Sequence, residues 1–260
     1  MVSAFPHEGI TPIELWDVQV GDATLFALRD APSFYTSLVR AVLALRAGKA
    51  VREGGARLPA LAWDAVALVG GALDEARARD AFDAAGVALD VVSADPFFAS
   101  SHAREVLAEE GPPYTDAVVI DVGQTAIKGT GPSARVHRPR PVDVVAGDPR
   151  GELVTYVAGV LTDACAGLEP GFVLLGLPCE VDTRDGELVL GASTYATAGE
   201  GAVLVREILA RAGCASASAA VVNDAILAAW ALARRVPSST QSRLVLTLGL
   251  GVGAALIERA

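Results

Sequence analysis

Short apolar runs alternate with longer amphipathic stretches along most of the chain. The runs are continuous and rich in β-branched residues, which is typical of strands buried on both faces of a parallel sheet. The predicted strands include residues 65–69, 87–92, 116–121, 125–130, 134–139, 172–177 and 219–222. Apolar residues at helical spacing follow these runs. The predicted helices cover residues 33–48, 74–85, 96–110, 151–165, 202–212 and 224–235. This alternation predicts an α/β protein.

The order of these elements repeats along the chain. From residue 116 onwards it runs three strands, helix, strand, helix, strand, helix. The first half repeats the latter part of this order, and the two opening strands that it lacks are predicted within 243–258. We therefore expect two similar domains. The predicted domains are residues 1–112 plus 240–260, and residues 113–239.

Composition excludes several classes of partner. The 260 residues carry a net charge of -10, and the only basic cluster, 135–140, is short. We therefore expect neither nucleic acid nor an anionic membrane as a partner. The three cysteines are widely spaced, which disfavours a disulfide or zinc framework and favours a reducing compartment. The first residues lack a signal-peptide pattern, and the longest apolar stretch, 244–257, is too short to cross a bilayer. The sequence predicts a soluble, cytoplasmic protein.

One turn carries residues that suit phosphate chemistry. A predicted strand reaches Asp121, and Gly123, Gln124 and Thr125 follow before Lys128. Gly123 permits a tight reversal with exposed backbone N–H groups, and Thr125 adds a donor, so the turn can hold phosphate oxygens. Asp121 can hold the water shell of a Mg²⁺ ion. Lys128 is one of only two lysines in the chain and can offset phosphate charge, although a solvated strand residue is the alternative interpretation.

Two further glycine clusters suggest close approach of a ligand to the backbone. One lies between the two C-terminal apolar strands and consists of Thr247, Gly249, Gly251 and Gly253. Each glycine weakens a strand, so phosphate approaching the backbone explains three alternating glycines better than a simple β-turn does. The other cluster, Gly70 and Gly71, closes the predicted strand 65–69 just before a helix.

These sites together resemble the nucleotide motifs of the actin, Hsp70 and sugar-kinase superfamily. Asp121-Val-Gly-Gln-Thr-Ala-Ile-Lys128 is similar to its first phosphate motif, and Thr247-Leu-Gly-Leu-Gly-Val-Gly253 is similar to its second. Val69-Gly-Gly71, which precedes a helix, resembles the adenosine motif.

Asn223-Asp224, at the start of an alanine-rich helix, resembles the first connecting helix of this superfamily with its catalytic Asp. With Gly176-Leu-Pro-Cys-Glu-Val-Asp182, the resemblance is closest to the ROK family of sugar kinases and repressors. It implies two RNase H-like, actin-type lobes around a nucleotide cleft. It also implies ATP and Mg²⁺ as cofactors, with Mg²⁺ held by Asp121 through water.

The order of the motifs departs from that of the family. The adenosine motif and the second connecting helix come first here, so the sequence resembles a circular permutation opened after the second phosphate hairpin. Such openings are tolerated at exposed loops whose ends lie close together. We therefore expect residues 244–258 to pair with strands from 11–28. A homodimer, including a domain-swapped one, is compatible with this arrangement.

The predicted catalytic and acceptor residues each have a structural alternative. Asp224 can act as the general base that takes a proton from a substrate hydroxyl, or it can simply cap the helix. We favour the base, because the resemblance implies it. By the same resemblance Asn223 binds acceptor hydroxyls, and a structural turn residue is an equal alternative. Ser193 and Thr194 are candidates for lining the acceptor pocket, and an ordinary polar loop fits them nearly as well.

The sugar-binding signature of the ROK family is incomplete. Its kinases carry a Glu-x-Gly-His motif after the second phosphate hairpin and a cysteine-rich zinc motif. Here the zinc motif is absent, and His7-Glu8 supplies the right residue types in the wrong order. We favour a disordered terminus for these two residues.

We therefore predict an ATP-dependent phosphotransferase that transfers the γ-phosphate to a hydroxyl of a small acceptor, a sugar or a sugar derivative. The alternative is a nucleotide-binding regulator or an actin-like ATPase that has no transfer activity. Two features motivate this alternative: the incomplete sugar signature, and Asp95-Pro-Phe-Phe-Ala99, which loosely resembles a segment of plasmid-segregation actins.

Overall fold

The computed structural model of the protein describes residues 1–123, 125–139, 149–185, 187–191, 199–235, 241–249 and 252–258. Contacts divide the chain into two compact units. Unit 1 consists of Met1–His7 and Ala99–Arg235, and unit 2 consists of Glu8–Phe98 and Val236–Ala260.

Helices and strands alternate in both units. The helices are α1 (Phe34–Arg46), α2 (Glu75–Ala84), α3 (Phe98–Glu109), α4 (Pro149–Cys165), α5 (Gly201–Arg211) and α6 (Asp224–Arg235). The strands of unit 1 are β1 (Val2–Ala4), β7 (Val118–Val122), β8 (Ala126–Thr130), β9 (Arg135–Pro139), β10 (Phe172–Leu177), β11 (Val181–Arg184), β12 (Glu187–Leu190), β13 (Gly199–Glu200) and β14 (Ser218–Asn223). Those of unit 2 are β2 (Ile10–Glu14), β3 (Gln19–Val20), β4 (Ala23–Thr24), β5 (Ala65–Val69), β6 (Leu89–Ser93), β15 (Arg243–Leu248) and β16 (Val252–Ile257).

Unit 1 is built on a six-stranded sheet in the order β1-β14-β10-β7-β8-β9. β7, β8 and β9 are antiparallel neighbours, whereas β10, β14 and β1 run parallel to β7. α4 packs on β7, β8 and β9, and α6 packs on β7, β10 and β14. Val118, Val119 and Ile120 are consequently fully buried, as their apolar run predicts.

Unit 2 is built on a five-stranded sheet in the order β2-β16-β15-β5-β6. β5 and β6 run parallel to β15, whereas β16 is antiparallel to both β15 and β2. The expected pairing of the C-terminal segment with the N-terminal one is confirmed for β16, which pairs with β2, whereas β15 pairs with β16 and β5. Ile257 is the cross-strand partner of Ile10, which lies almost the whole chain length away in sequence.

The strands expected within residues 11–28 are short in the structure. Only Ile10–Glu14 joins the main sheet, and β3 and β4 form a separate two-stranded ribbon. Val18 and Leu25 are fully buried, and the Leu25 N–H donates to the Val18 carbonyl at 2.8 Å. The chain therefore packs its side chains into the core of unit 2 after β2.

The two sheets share one strand order. In unit 1 the three antiparallel strands β9, β8 and β7 are followed by the parallel strands β10 and β14. In unit 2 the antiparallel strands β2, β16 and β15 are followed by the parallel strands β5 and β6. The connections also correspond, because α4 leads into β10 as α1 leads into β5. The element repeat seen in the sequence is thus a repeat of topology.

Two groups of residues lie in unit 1, whereas the sequence pattern assigns them to the other half. β1 pairs in parallel with β14, and α3 is joined to β8 by a hydrogen bond between the Ser100 and Thr130 hydroxyls at 2.9 Å. These contacts hold Met1–His7 and most of α3 in unit 1.

Among the described residues, no helix is both long enough and apolar enough to span a membrane.

Candidate functional site

Two predicted phosphate-binding residues face each other across the β7–β8 hairpin. Asp121 on β7 is the cross-strand partner of Lys128 on β8. The Lys128 Nζ lies 3.2 Å from an Asp121 carboxylate oxygen, and the side chains are only 16% and 13% exposed. Taking both charges out of water offsets much of their attraction, so the pair is weak evidence for stability. It holds one ammonium and one carboxylate in fixed positions beside the turn.

The turn between the two strands requires a glycine. The Gly123 N–H donates to the Ala126 carbonyl at 3.0 Å. A Cβ on Gly123 would lie 2.8 Å from the Lys128 Nζ and 2.9 Å from the Ala126 oxygen. Any other residue would therefore displace the ammonium group. Thr125 follows on the exposed side of the turn, and Gln124 lies outside the described residues.

The side chain of Asn223 has a structural role at the start of α6. Its Oδ1 accepts hydrogen bonds from the backbone N–H groups of Ala225 and Ile226, at 2.9 and 3.3 Å. This is the pattern of a helix N-cap, which satisfies donors that have no partner within the helix. The Nδ2 donates to the Cys179 carbonyl at 3.0 Å. Asn223 thereby joins α6 to the chain that follows β10, and acceptor binding by Asn223 stays a prediction.

Close packing of α6 against β10 brings Asp224 to the same edge of the sheet as Asp121. A Cβ on Gly176 of β10 would lie 2.7 Å from the Leu227 Cδ2 and 3.7 Å from the Asp224 Cα. Gly176 is also in register with Asp121 on one side and with Val222 on the other. The carboxyl ends of three adjacent parallel strands therefore present both carboxylates together. Ligands of open α/β sheets bind at such edges.

The environment of Asp224 alters its acidity. Asp224 as a whole is half-buried, and the surrounding protein excludes water from its carboxyl group. Desolvation, with a further contribution from the negative charge of Asp121, raises the pKa of Asp224 to about 7. The Ala225 N–H and the positive charge of Lys128 act in the opposite direction. A carboxyl group with this pKa occurs in both protonation states near neutral pH, so it can accept a proton and release it again.

The sequence pattern predicts no functional role for two residues of the site, Gly176 and Cys179. Gly176 permits the approach of α6, and Cys179 lies close enough to Asp224 to sense its charge. Burial, then the charges of Asp224 and Glu180, raise the pKa of the Cys179 thiol to about 12, so the thiol stays protonated. The only sequence signal for either residue is its place in the Gly-Leu-Pro-Cys segment after a predicted strand.

In unit 2, the predicted adenosine motif has a clear structural requirement. Gly70 has a φ of +130°, and a Cβ there would lie 2.2 Å from the Leu248 carbonyl oxygen. A Cβ on Gly71 would lie 3.1 Å from the Pro96 Cβ. These glycines allow the loop after β5 to pass close to the end of β15. The contacts explain the glycines without a ligand, and adenosine binding stays a prediction.

The predicted second phosphate motif lies at the same edge of the unit 2 sheet. Thr247 is in register with Val69 on β5 and with Gly253 on β16. No atom of the residues that the structure describes lies within 4 Å of the position that a Cβ on Gly249 would occupy, and Gly249 is exposed. Gly251 lies outside the described residues. The exposed backbone of Gly249 leaves room for a ligand next to the hairpin.

A tyrosine holds the loop that follows the two glycines of unit 2. The Tyr35 hydroxyl of α1 accepts a hydrogen bond from the Asp74 N–H at 2.6 Å. Asp74 in turn caps α2, because its Oδ1 accepts from the Arg77 N–H at 3.2 Å. The loop from Gly70 to Asp74 is therefore fixed at both ends.

The remaining predicted residues lie apart from these clusters or outside the described part. Ser193 and Thr194 lie outside the described residues, so their predicted acceptor contacts stay predictions. The His7 Nδ1 lies 3.0 Å from the Phe5 carbonyl oxygen, and Glu8 is exposed. His7 thus has an ordered hydrogen-bond partner, which differs from the expectation of a disordered terminus.

No protein-family profile matches the chain, and no curated protein matches it. Among solved structures, the chain is similar to the inorganic polyphosphate/ATP-glucomannokinase from Arthrobacter sp. strain KM, with 25% sequence identity and a TM-score of 0.40. The similarity covers 55% of this chain and 58% of that chain.

Proposed function

We propose that this protein is an ATP-dependent phosphotransferase that transfers the γ-phosphate to a hydroxyl group of a small acceptor, a sugar or a sugar derivative. The observation that carries the proposal is the meeting of Asp121, Lys128 and Asp224 at the carboxyl edge of β7, β10 and β14. Phosphoryl transfer needs charge stabilisation and one positioned base, and little else from the protein. This constellation can supply both.

Asp224 is the proposed general base. A base works best when its pKa lies near the working pH, because it is then both ionised and able to take a proton. The raised pKa of about 7 meets this condition. In the proposed reaction the Asp224 carboxylate accepts the proton of the acceptor hydroxyl as that oxygen bonds to the γ-phosphorus, while the bond from this phosphorus to the bridging oxygen breaks and ADP leaves. The Asn223 cap and the glycine at position 176 keep Asp224 in place for this step.

Lys128 and the Gly123 turn are the proposed binding elements for phosphate oxygens. Lys128 offers an ammonium group at a fixed position, and the turn offers backbone N–H groups. Asp121 is the proposed ligand of Mg²⁺ through water, and its hard carboxylate oxygens suit that ion. A Mg²⁺ ion held in this way would neutralise part of the charge of the phosphate group. The donor set of this hairpin fits a magnesium–phosphate group.

Unit 2 contains two further proposed nucleotide-binding motifs. Gly70 and Gly71 are assigned to adenosine, and Thr247, Gly249, Gly251 and Gly253 to phosphate. The exposure of the Gly249 backbone supports this assignment. We further propose that the chain is a circular permutation of two actin-type lobes. The shared strand order of the two sheets supports this, as does the pairing of β16 with β2.

Release of ADP from magnesium-ATP tests the proposal directly. The wild-type protein is assayed with a panel of sugars, amino sugars and polyols, beside Asp224→Asn and a matched Asp80→Asn control on the exposed face of α2. We expect acceptor-dependent release that falls about a thousandfold or more in Asp224→Asn and is unchanged in the control. A slow rate of ADP release that changes neither with the acceptor nor with the Asp224 substitution would instead favour a nucleotide-binding regulator or an actin-like ATPase.

A further inference from the structure

A polar pocket lies within unit 1, between α3 and the turn that joins β8 to β9. Its volume is about 310 Å³, and its lining comprises Ser101, Arg104 and Glu105 from α3 together with residues 130–135. Thr130 is the cross-strand partner of Val119, whereas Asp121 pairs with Lys128. The pocket therefore lies at the amino end of β7, beyond the end of the hairpin that is opposite to the proposed phosphate turn.

Arg104 presents a buried donor to this region. Its Nη2 donates to the Thr115 carbonyl at 3.2 Å, which fixes the guanidinium group. Its Nε is buried and has no hydrogen-bond partner among the residues that the structure describes. A buried, charged donor without a partner is costly, so such a group normally meets an ion or an ordered water. Arg104 is one of the residues that line the pocket, so a ligand bound there can offset the charge of its guanidinium group.

Hydroxyl groups and a rigid turn complete the lining. The Thr130 Oγ1 lies 2.9 Å from the Ser100 Oγ and 3.4 Å from the Ser101 Oγ. The Gly131 N–H donates to the Ala134 carbonyl at 2.9 Å, and the turn is packed so closely that a Cβ on Gly131 would lie 2.0 Å from the Ala164 oxygen. The wall formed by the turn is therefore held in one position.

The charge of the lining favours an anion. Arg104 and Arg135 provide two guanidinium groups, against the single carboxylate of Glu105. Glu105 forms an ion pair with Arg235, which offsets its charge. This positive balance occurs in a chain whose net charge is -10. Guanidinium groups beside hydroxyl donors form a recurrent arrangement for oxyanions.

We propose that this pocket binds the phosphate group of a small molecule, at a site separate from the proposed nucleotide site. A tetrahedral phosphate can accept from donors on several sides, here the guanidinium groups of Arg104 and Arg135 and the Ser101 and Thr130 hydroxyls. The volume of about 310 Å³ exceeds what one phosphate fills, and lies at the lower end of the range for small-molecule sites. The ligand is either inorganic phosphate or a phosphate monoester with a small organic part.

Titration calorimetry without ATP or magnesium tests this proposal, with inorganic phosphate in one arm and a hexose 6-phosphate in the other. Arg104→Gln removes the buried donor and keeps much of the side-chain volume. Ala134→Glu places a carboxylate at the pocket without touching the Arg104 contacts, so it serves if Arg104→Gln fails to fold. Arg211→Gln, an exposed arginine at the end of α5, is the matched control. Lys128→Met separates this pocket from the proposed phosphate turn.

Saturable binding of one ligand per chain is expected, with affinity lowered about tenfold or more in Arg104→Gln and Ala134→Glu. Binding should be unchanged in Arg211→Gln and retained in Lys128→Met. Tighter binding of the monoester identifies an organic phosphate as the ligand, and equal binding identifies phosphate itself. The proposal is overturned if neither compound binds at about 10 mM. It is overturned equally if binding survives both pocket substitutions or is lost only in Lys128→Met.

Discussion

At the scale of single residues, the candidate site is defined by the electrostatics of two carboxylates. Asp121 has a fixed cationic partner, Lys128, at 3.2 Å. The Asp224 carboxylate accepts a hydrogen bond from the Ala225 backbone N–H at 2.8 Å, and burial with the charge of Asp121 raises its pKa to about 7. A carboxyl group whose pKa is raised into the neutral range is a frequent sign of an acid–base role. Here the partnered acid suits cation binding and the desolvated acid suits proton transfer.

The raised pKa predicts that Asp224 destabilises the folded protein at neutral and alkaline pH. Between the ordinary value of 3.8 and about 7, the folded state holds a proton that the unfolded state has released. The stabilisation present below this range is therefore lost as the pH rises through about 7. In thermal melts, Asp224→Asn should gain over wild type from about pH 5 to about pH 8, by on the order of a few kcal/mol. An equal difference at both pH values contradicts the assignment.

The same group predicts the pH dependence of the proposed transfer reaction. The value of kcat/KM should fall below about pH 7, because Asp224 must be ionised to accept a proton. Lys128 lowers the pKa of Asp224, so Lys128→Met should move this acidic limb to higher pH and also reduce the maximal rate. Lys49→Met replaces the other, exposed lysine and is the matched control. An acidic limb that stays in place in Lys128→Met would argue against electrostatic coupling of the two residues.

Among the elements of unit 2, the loop at Gly70 approaches the end of β15 very closely. Gly70→Ala should destabilise the protein by about 3 kcal/mol or more, because its Cβ would enter the Leu248 carbonyl and its φ is unfavourable. Gly21→Ala is the matched control, since Gly21 also has a positive φ but no atom within 4 Å of the added Cβ. We expect it to cost about 1–2 kcal/mol. Equal midpoints of denaturant unfolding for the two variants would refute the close approach.

The elements show which features a single sequence can reveal. The run 116–121, the turn and the strand 125–130 are local patterns, and the structure has β7 and β8 at those places. The role of Gly176 depends on how closely α6 packs on a strand about fifty residues away, and no local pattern encodes that distance. The contact from Asn223 to Cys179 likewise arises only when β14 and β10 are neighbours. The sequence therefore predicts which residues carry the chemistry. It does not predict the residues that hold them in place, because those contacts form only when the strands and helices pack together.

At the scale of the whole molecule, the fold of unit 2 depends on strands from opposite ends of the chain. Ile257 pairs with Ile10, and the Glu258 N–H donates to the Gly9 carbonyl at 2.8 Å. These ends have the geometry of a hairpin whose turn is missing, so a two-residue Asn-Gly turn should join them without strain. The order of strands in each sheet, rather than the order along the chain, is what the element repeat preserves.

A rearranged chain tests this arrangement of the whole molecule. Its order is residues 112–258, an Asn-Gly turn and residues 9–111, which opens the exposed connection after α3. Its control keeps the original order and lacks residues 1–8, because both proteins then lose β1. We expect the two to melt within a few degrees of each other, since every strand pairing of unit 2 is retained. The rearranged chain should also refold faster, because the pairing of β16 with β2 becomes local. If the control melts cooperatively and the rearranged chain aggregates, then the β16–β2 pairing on which the permutation proposal rests is incorrect.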